Sequence, residues 1–138
     1  MLHQSIVRFI AQHHLLTLCT CDGFVPYCAN CFYAFDQERA IFIVATDSQT
    51  RHGREALANE HVAGTIALET KIVGKIQGVQ FTGIFKEALE EERRMYFKRF
   101  PYALAMLPEV WSIQIDTLKF TDNTLGFGKK LEFRRVEL

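Results

Sequence analysis

The sequence predicts a mainly β protein, a small antiparallel barrel whose openings are covered by helices. Three observations predict it. Six or more short strand-like segments are interleaved with only three helical ones. Asp22-Gly23, set between two apolar stretches, is a strong hairpin signal because both residues tolerate positive φ. Val110 to Phe120 alternates cleanly, with Trp111, Ile113 and Ile115 on one face and Ser112, Gln114 and Asp116 on the other. Closing such a sheet on itself removes its exposed edges.

The elements follow in order. Residues 2–13 read as an amphipathic helix, with Leu2, Ile6, Phe9, Ile10 and His13 at helical spacing. Leu15 to Cys21 reads as a strand that returns through the Asp22-Gly23 turn as Val25 to Phe35. After a polar turn at 36–39, the unbroken apolar run Ala40 to Ala45 predicts a strand buried on both faces. Thr50 to Asn59 reads as a short helix capped by Thr50, with Gly53 costing it roughly 1 kcal/mol relative to Ala. His61 to Leu68 and Ile76 to Ala88 are the next strands, and Gly78 and Gly83 mark bulges or close approaches. Glu90 to Tyr102 is a charged helix with Met95, Phe97 and Phe100 inward, its end bracketed by Pro101 and Pro108. Leu131 to Val136 is a further strand after the Gly/Asn/Asp loop at 121–130.

At 138 residues, with 49% hydrophobic and 23% charged side chains, the chain has the material for one domain, 1–138, with a real core. A formal net charge of zero gives no electrostatic footprint for nucleic acid or an anionic membrane. The first ten residues lack the apolar stretch of a secretory signal, and no apolar run approaches the roughly 20 residues of a membrane span. The cytoplasm is the expected location. A small-molecule ligand and a second copy of the chain are the expected partners, the latter because a small barrel with 12 Phe, 4 Tyr and 1 Trp has apolar surface to cover.

Phe42 to Ala63, FIVATDSQTRHGREALANEHVA, carries the functional signal. A strand ends at Thr46 and a helix starts at Thr50-Arg51-His52. A helix N-terminus offers unpaired N–H groups and a positive dipole end. A Thr hydroxyl can donate to a phosphate oxygen, and an Arg can bind phosphate through two donors. The segment resembles the phosphate-binding stretch of the pyridoxamine 5′-phosphate oxidase-like superfamily, the FMN-binding split barrels, in which Ser/Thr-Arg-Lys opens the helix. His52 stands where that family usually has lysine, which makes the expected site weaker or more pH-dependent. Pro26 to Phe32 (PYCANCF) and Gly78 to Gly83 (GVQFTG) resemble, in the same order, the family strands that run along the flavin. The arginine some members carry in the first of these is replaced by Ala29 or Asn30. The likeness spans roughly residues 15–120, and the tail FTDNTLGFGKK resembles a small bacterial branch of the superfamily.

This resemblance implies a split, Greek-key-like antiparallel barrel with flanking helices, working as a homodimer with FMN at the interface. Thr50, Arg51 and His52 would hold the phosphate. Thr46, Asn30 and Cys31 would lie near the ring, and the family's flavin-contacting glutamine would fall near Gly78, which Gln77 and Gln80 flank, with Gln80 the expected contact. The implied activity is flavin-dependent oxidoreduction, in which the cofactor carries the chemistry. A non-catalytic module for another phosphorylated or aromatic ligand is the alternative, and haem a third, since some split-barrel relatives handle it.

Cys19, Cys21, Cys28 and Cys31 invite a metal reading. Pairing the strands through Asp22-Gly23 sets Cys19 opposite Pro26, Cys28 opposite Thr17 and Cys31 opposite His14. Thiols so spread cannot all lie within about 2.3 Å of one zinc ion, and the preferred reading is small buried core cysteines.

Overall fold

The computed structural model describes residues 2–126 and 128–136. Phe127, inside the loop expected at 121–130, lies outside the described residues. The chain runs α1 (Gln4–Gln12), β1 (Leu15–Asp22), β2 (Val25–Asp36), β3 (Ile41–Ala45), α2 (Arg51–Ala58), β4 (His61–Ala67), β5 (Gln77–Glu87), α3 (Glu90–Arg99), β6 (Val110–Asp122) and β7 (Lys130–Arg134), with short 3₁₀ turns at Val73–Lys75, Pro101–Met106 and Asn123–Leu125.

All strand pairings are antiparallel, in the order β3-β2-β1-β4-β5-β6-β7, and β3 also pairs with β6. Six strands therefore close a barrel. The spatial run β4-β1-β2-β3 is a Greek key. β6 is long enough to serve two neighbours on the edge away from β5. Its first half (Val110–Gln114) closes the barrel against β3, and its second half (Thr117–Thr121) holds β7. The register breaks between Thr82 and Gly83, where β6 carries the additional residue Asp116. This bulge, expected at Gly83, shifts the inward set on β6 from Ile113 and Ile115 to Leu118 and Phe120. Gly78, by contrast, sits in regular ladder between Ala67 and Thr121.

The barrel interior is aromatic and aliphatic. Phe42 lies between Tyr33 and Phe81, with ring centroids 5.3 and 4.8 Å away. α1 plugs one opening with Ile6, Phe9 and Ile10, and the buried Tyr33 hydroxyl donates to the Ile10 carbonyl at 2.6 Å. Burial raises the Tyr33 pKa, which keeps that donor protonated. α3 covers the outside of β2 and β3, where Ala34, Ile43, Tyr96 and Val110 form a second cluster. β3 is thus buried on both faces, as its unbroken apolar run predicts: Phe42 and Val44 point inward and Ile43 lies under α3. Among the described residues no helix is long and apolar enough to cross a membrane.

Three expectations are corrected. Ala40 is not in a strand; it turns the chain at φ +54°, and its carbonyl accepts from the Arg135 guanidinium at 2.8 Å. α3 stops at Arg99, because Phe100 precedes Pro101 and takes φ −125°, ψ 70°. Its most buried residues are Tyr96 and Glu92, with Met95, Phe97 and Phe100 only partly covered. Glu92 is buried, and its carboxylate accepts from the Leu89 amide at 2.8 Å and caps the helix.

Candidate functional site

The start of α2 is built by a tight loop after β3. Thr46 is held from both sides: its amide donates to the Glu109 carbonyl at 3.1 Å, and the Trp111 indole donates to its carbonyl at 3.0 Å. Glu109 also accepts from the Ser48 amide and hydroxyl, at 3.1 and 2.8 Å. Thr50 caps the helix as its sequence position predicts, accepting from the Gly53 amide at 3.2 Å. Its hydroxyl proton goes to the Asp47 carbonyl at 2.7 Å, so the hydroxyl fixes the loop and is not free for a ligand. The amides of Arg51 and His52, at the first two helical positions, have no intrahelical acceptor. Gly53 has a positive role as well as a cost: a Cβ there would lie 2.4 Å from the Asp47 carbonyl oxygen.

His52 turns back onto Thr46, its Nε2 2.5 Å from the Thr46 hydroxyl and 3.4 Å from that of Thr50. Burial lowers its pKa, so the imidazole is neutral at neutral pH. Arg51 lies over the Tyr27 ring, 4.1 Å from its centroid, and its Nε donates to Glu55 at 2.9 Å. The other Glu55 oxygen accepts from Thr20 at 2.8 Å. The Arg51 hydrogen bond first, and then that of Thr20, holds the Glu55 carboxyl below the usual carboxylate range. Among the described residues the two terminal nitrogens of Arg51 make no hydrogen bond, which leaves the planar end of the fork for an anion.

Thr46, Thr50, Arg51 and His52 are thus one cluster. Asn30 and Gln80 belong to a second region, the outer wall of the barrel. The strand register aligns Asn30, Thr17, Thr65, Gln80, Lys119 and Glu132 in a single row across β2, β1, β4, β5, β6 and β7. Thr17 donates to Asn30 at 3.1 Å. Much of this row lines a groove of about 520 Å³, which also touches Cys19 and Phe81. Cys31 joins neither region; it is 4% exposed and packs inward, so only its backbone can meet a ligand on the wall.

No protein-family profile matches the chain. It is, however, 44% identical over 137 residues to a UPF0306 protein of Cronobacter sakazakii, an alignment covering 96% of this chain and 95% of that protein. The chain belongs to the UPF0306 family. Solved structures much further away in sequence share its fold. A heme binding protein from Mycobacterium smegmatis superposes with TM-score 0.72 at 15% identity, covering 91% of this chain and 54% of that one. A FAD-binding protein from Mesorhizobium loti gives 0.71 at 12%, covering 86% and 90%. A pyridoxamine 5′-phosphate oxidase candidate from Listeria innocua gives 0.67 at 14%, covering 84% and 94%. This UPF0306 chain therefore has the split-barrel fold that its motif order resembles.

Sequence reasoning missed several parts of this UPF0306 site. Glu55 is four residues after Arg51, a readable helical pair, but Thr20 and Tyr27 meet Arg51 and Glu55 only because α2 docks on β1 and β2. The reading of the cysteines is also corrected, in burial, since of the four only Cys31 is buried and Cys28 is exposed, and in pairing. The hairpin loop is Gly23-Phe24, with Gly23 at φ +80° and Asp22 paired to Val25, so the register moves by two residues. Cys19 then faces Cys28, with their sulfurs 3.0 Å apart, and Cys31 faces Leu16.

Proposed function

We propose that this protein is a single-domain, cytoplasmic FMN-binding homodimer, holding the cofactor by its phosphate at the start of α2. The observation that carries this reading is the convergence, on one clamped loop, of two helix-start amides, the free end of Arg51 and the His52 imidazole. Each is a donor, or becomes one on protonation, and together they suit a phosphate dianion. The Thr- and Gln-bearing groove of the outer wall suits a flat heteroaromatic ring with hydrogen-bonding edges. Fold neighbours that bind FAD or heme support a ring-binding role for the barrel.

A bound flavin would supply hydride or electron transfer. The chain's own part is to anchor the phosphate, orient the ring and shield it. The second copy enters because the barrel leaves large apolar side chains uncovered. Phe24 is fully exposed at the hairpin tip, and Tyr102 and Met106 are more than four-fifths exposed beyond α3.

The test is a fluorescence titration of FMN into wild-type protein and Arg51→Ala. Binding weakens at least tenfold in the variant, equivalent to about 1.4 kcal/mol. It also weakens at high pH, because His52 takes up its proton on binding. Equal binding by both proteins, or none, overturns the cradle. A heme titration run in parallel separates the readings, since a Soret shift with no flavin binding favours heme in its place. Light scattering at micromolar concentration that returns a monomer contradicts the dimer.

A further inference from the structure

Period-two alternation along β1 turns Leu16, Leu18 and Thr20 into the barrel and Thr17, Cys19 and Cys21 onto its outer wall. On β2 the residues facing this outer set are Asn30, Cys28 and Pro26. Cys19 and Cys28 are therefore directly opposed partners in the middle of a regular ladder, with ordinary pairs Leu18↔Ala29 and Thr20↔Tyr27 on either side. The other two thiols are kept away from this pair. Cys21 faces Pro26 and its thiol donates to the Gly23 carbonyl, while Cys31 is buried in the core opposite Leu16.

We propose that Cys19 and Cys28 are a reversible dithiol–disulfide couple, a modification site on the outer wall that reacts with low-molecular-weight disulfides. The proposal goes beyond the flavin reading and does not rest on it. Directly opposed residues in an antiparallel pair have Cα atoms about 4.5–5.5 Å apart, inside the range a disulfide spans. The sulfurs, 3.0 Å apart as thiols, need approach by only about 1 Å to reach bonding distance. Rotation about the two Cα–Cβ bonds supplies that movement and leaves the ladder intact.

The environment divides the roles. Cys28 is exposed and meets the incoming disulfide first. Cys19 is half-covered, and burial, followed by its contact with Cys28, pushes its thiol up to about 11, so it stays protonated and donates toward the Cys28 sulfur. In the first step the Cys28 thiolate attacks one sulfur of the small disulfide, forming a mixed disulfide and expelling one thiolate, which takes up the proton Cys28 lost. In the second, Cys19 loses its proton, attacks the Cys28 sulfur and expels the second small molecule as a thiolate, which takes up that proton. The protein dithiol is oxidised by two electrons, and one small disulfide becomes two thiols. Cys19 lines the wall groove, so the oxidation state of the pair changes a surface that a ligand there would touch.

The full-length chain is equilibrated in buffers of graded oxidised-to-reduced glutathione ratio, quenched in acid, alkylated and mapped by peptide mass spectrometry. Cys19 and Cys28 lose alkylation together, at one ratio that does not depend on protein concentration. They are recovered as a Cys19–Cys28 cross-link, while Cys21 and Cys31 stay alkylated. Cys19→Ser stalls with one glutathione on Cys28. Four alkylated cysteines at the most oxidising ratio overturn the proposal, as does a cross-link through Cys21 or Cys31 or between chains. If the variant does not fold, the wild-type peptide map decides alone.

Discussion

Replacing Gly53 by Ala tests whether the loop before α2 is as tightly built as described. In an ordinary helix interior the change stabilises by about 1 kcal/mol. Here the new Cβ would lie 2.4 Å from the Asp47 carbonyl oxygen, and 3.0 Å from both Ser48 Cα and Thr50 Oγ1. The obstacle is backbone, not the end of a flexible side chain. That carbonyl also accepts from the Thr50 amide at 3.1 Å and the Thr50 hydroxyl at 2.7 Å, so moving it disturbs the cap. Overpacking of this kind costs about 1–3 kcal/mol, and loss of a Thr cap about 1 kcal/mol. The strain outweighs the gain in helix propensity, and Gly53→Ala is destabilised by about 2 kcal/mol. Urea unfolding reads this as a lower midpoint at unchanged slope. A variant as stable as wild type, or more stable, would show that the loop yields freely and that Gly53 is only a poor helix former.

Other predictions follow from single groups. Burial lowers the His52 pKa below its unfolded value of about 6.5, so the folded state binds that proton less readily and stability falls as pH drops through the window beneath 6.5. His52→Gln removes this component, and its urea midpoint falls less than that of wild type between pH 7.5 and 5.5. The Glu55 carboxyl is lowered by Arg51 and Thr20, so its contribution is present above an unfolded pKa of about 4.3 and is lost as pH falls through the folded value. Glu55→Gln flattens the acid limb of the stability profile there, and an unchanged limb would contradict the pairing. Leu107 is 83% exposed and held at φ +47°, so Leu107→Gly relieves strain with little burial lost. Its Tm rises by about 4 °C, corresponding to about 1 kcal/mol.

What was legible in the sequence was what depends on short-range pattern. The run Ala40 to Ala45 announced a strand covered on both sides, and Thr50 announced a cap; both depend on neighbouring residues. The hairpin was legible but its register was not. Gly at the first loop position is also a stable two-residue solution, and it leaves the apolar Phe24 fully exposed where a polar turn residue is usual. That shift of two residues is what brings Cys19 and Cys28 together. The inward facing of Cys31 follows from period-two alternation once Asn30 is set outward. The Arg51–Glu55–Thr20 chain and the row from Asn30 to Glu132 are different in kind. They join residues far apart in the chain, Thr17 and Glu132 among them, and they exist only when α2 docks and the barrel closes.

The central claim is that the start of α2 binds a phosphate attached to a flavin. Isothermal calorimetry of FMN against riboflavin, which lacks the phosphate, tests it most directly. FMN is expected to bind at least tenfold more tightly than riboflavin, and Arg51→Ala to abolish the difference. Equal affinity for the two flavins would contradict it and show that the loop from Thr46 to Gly53 anchors no phosphate.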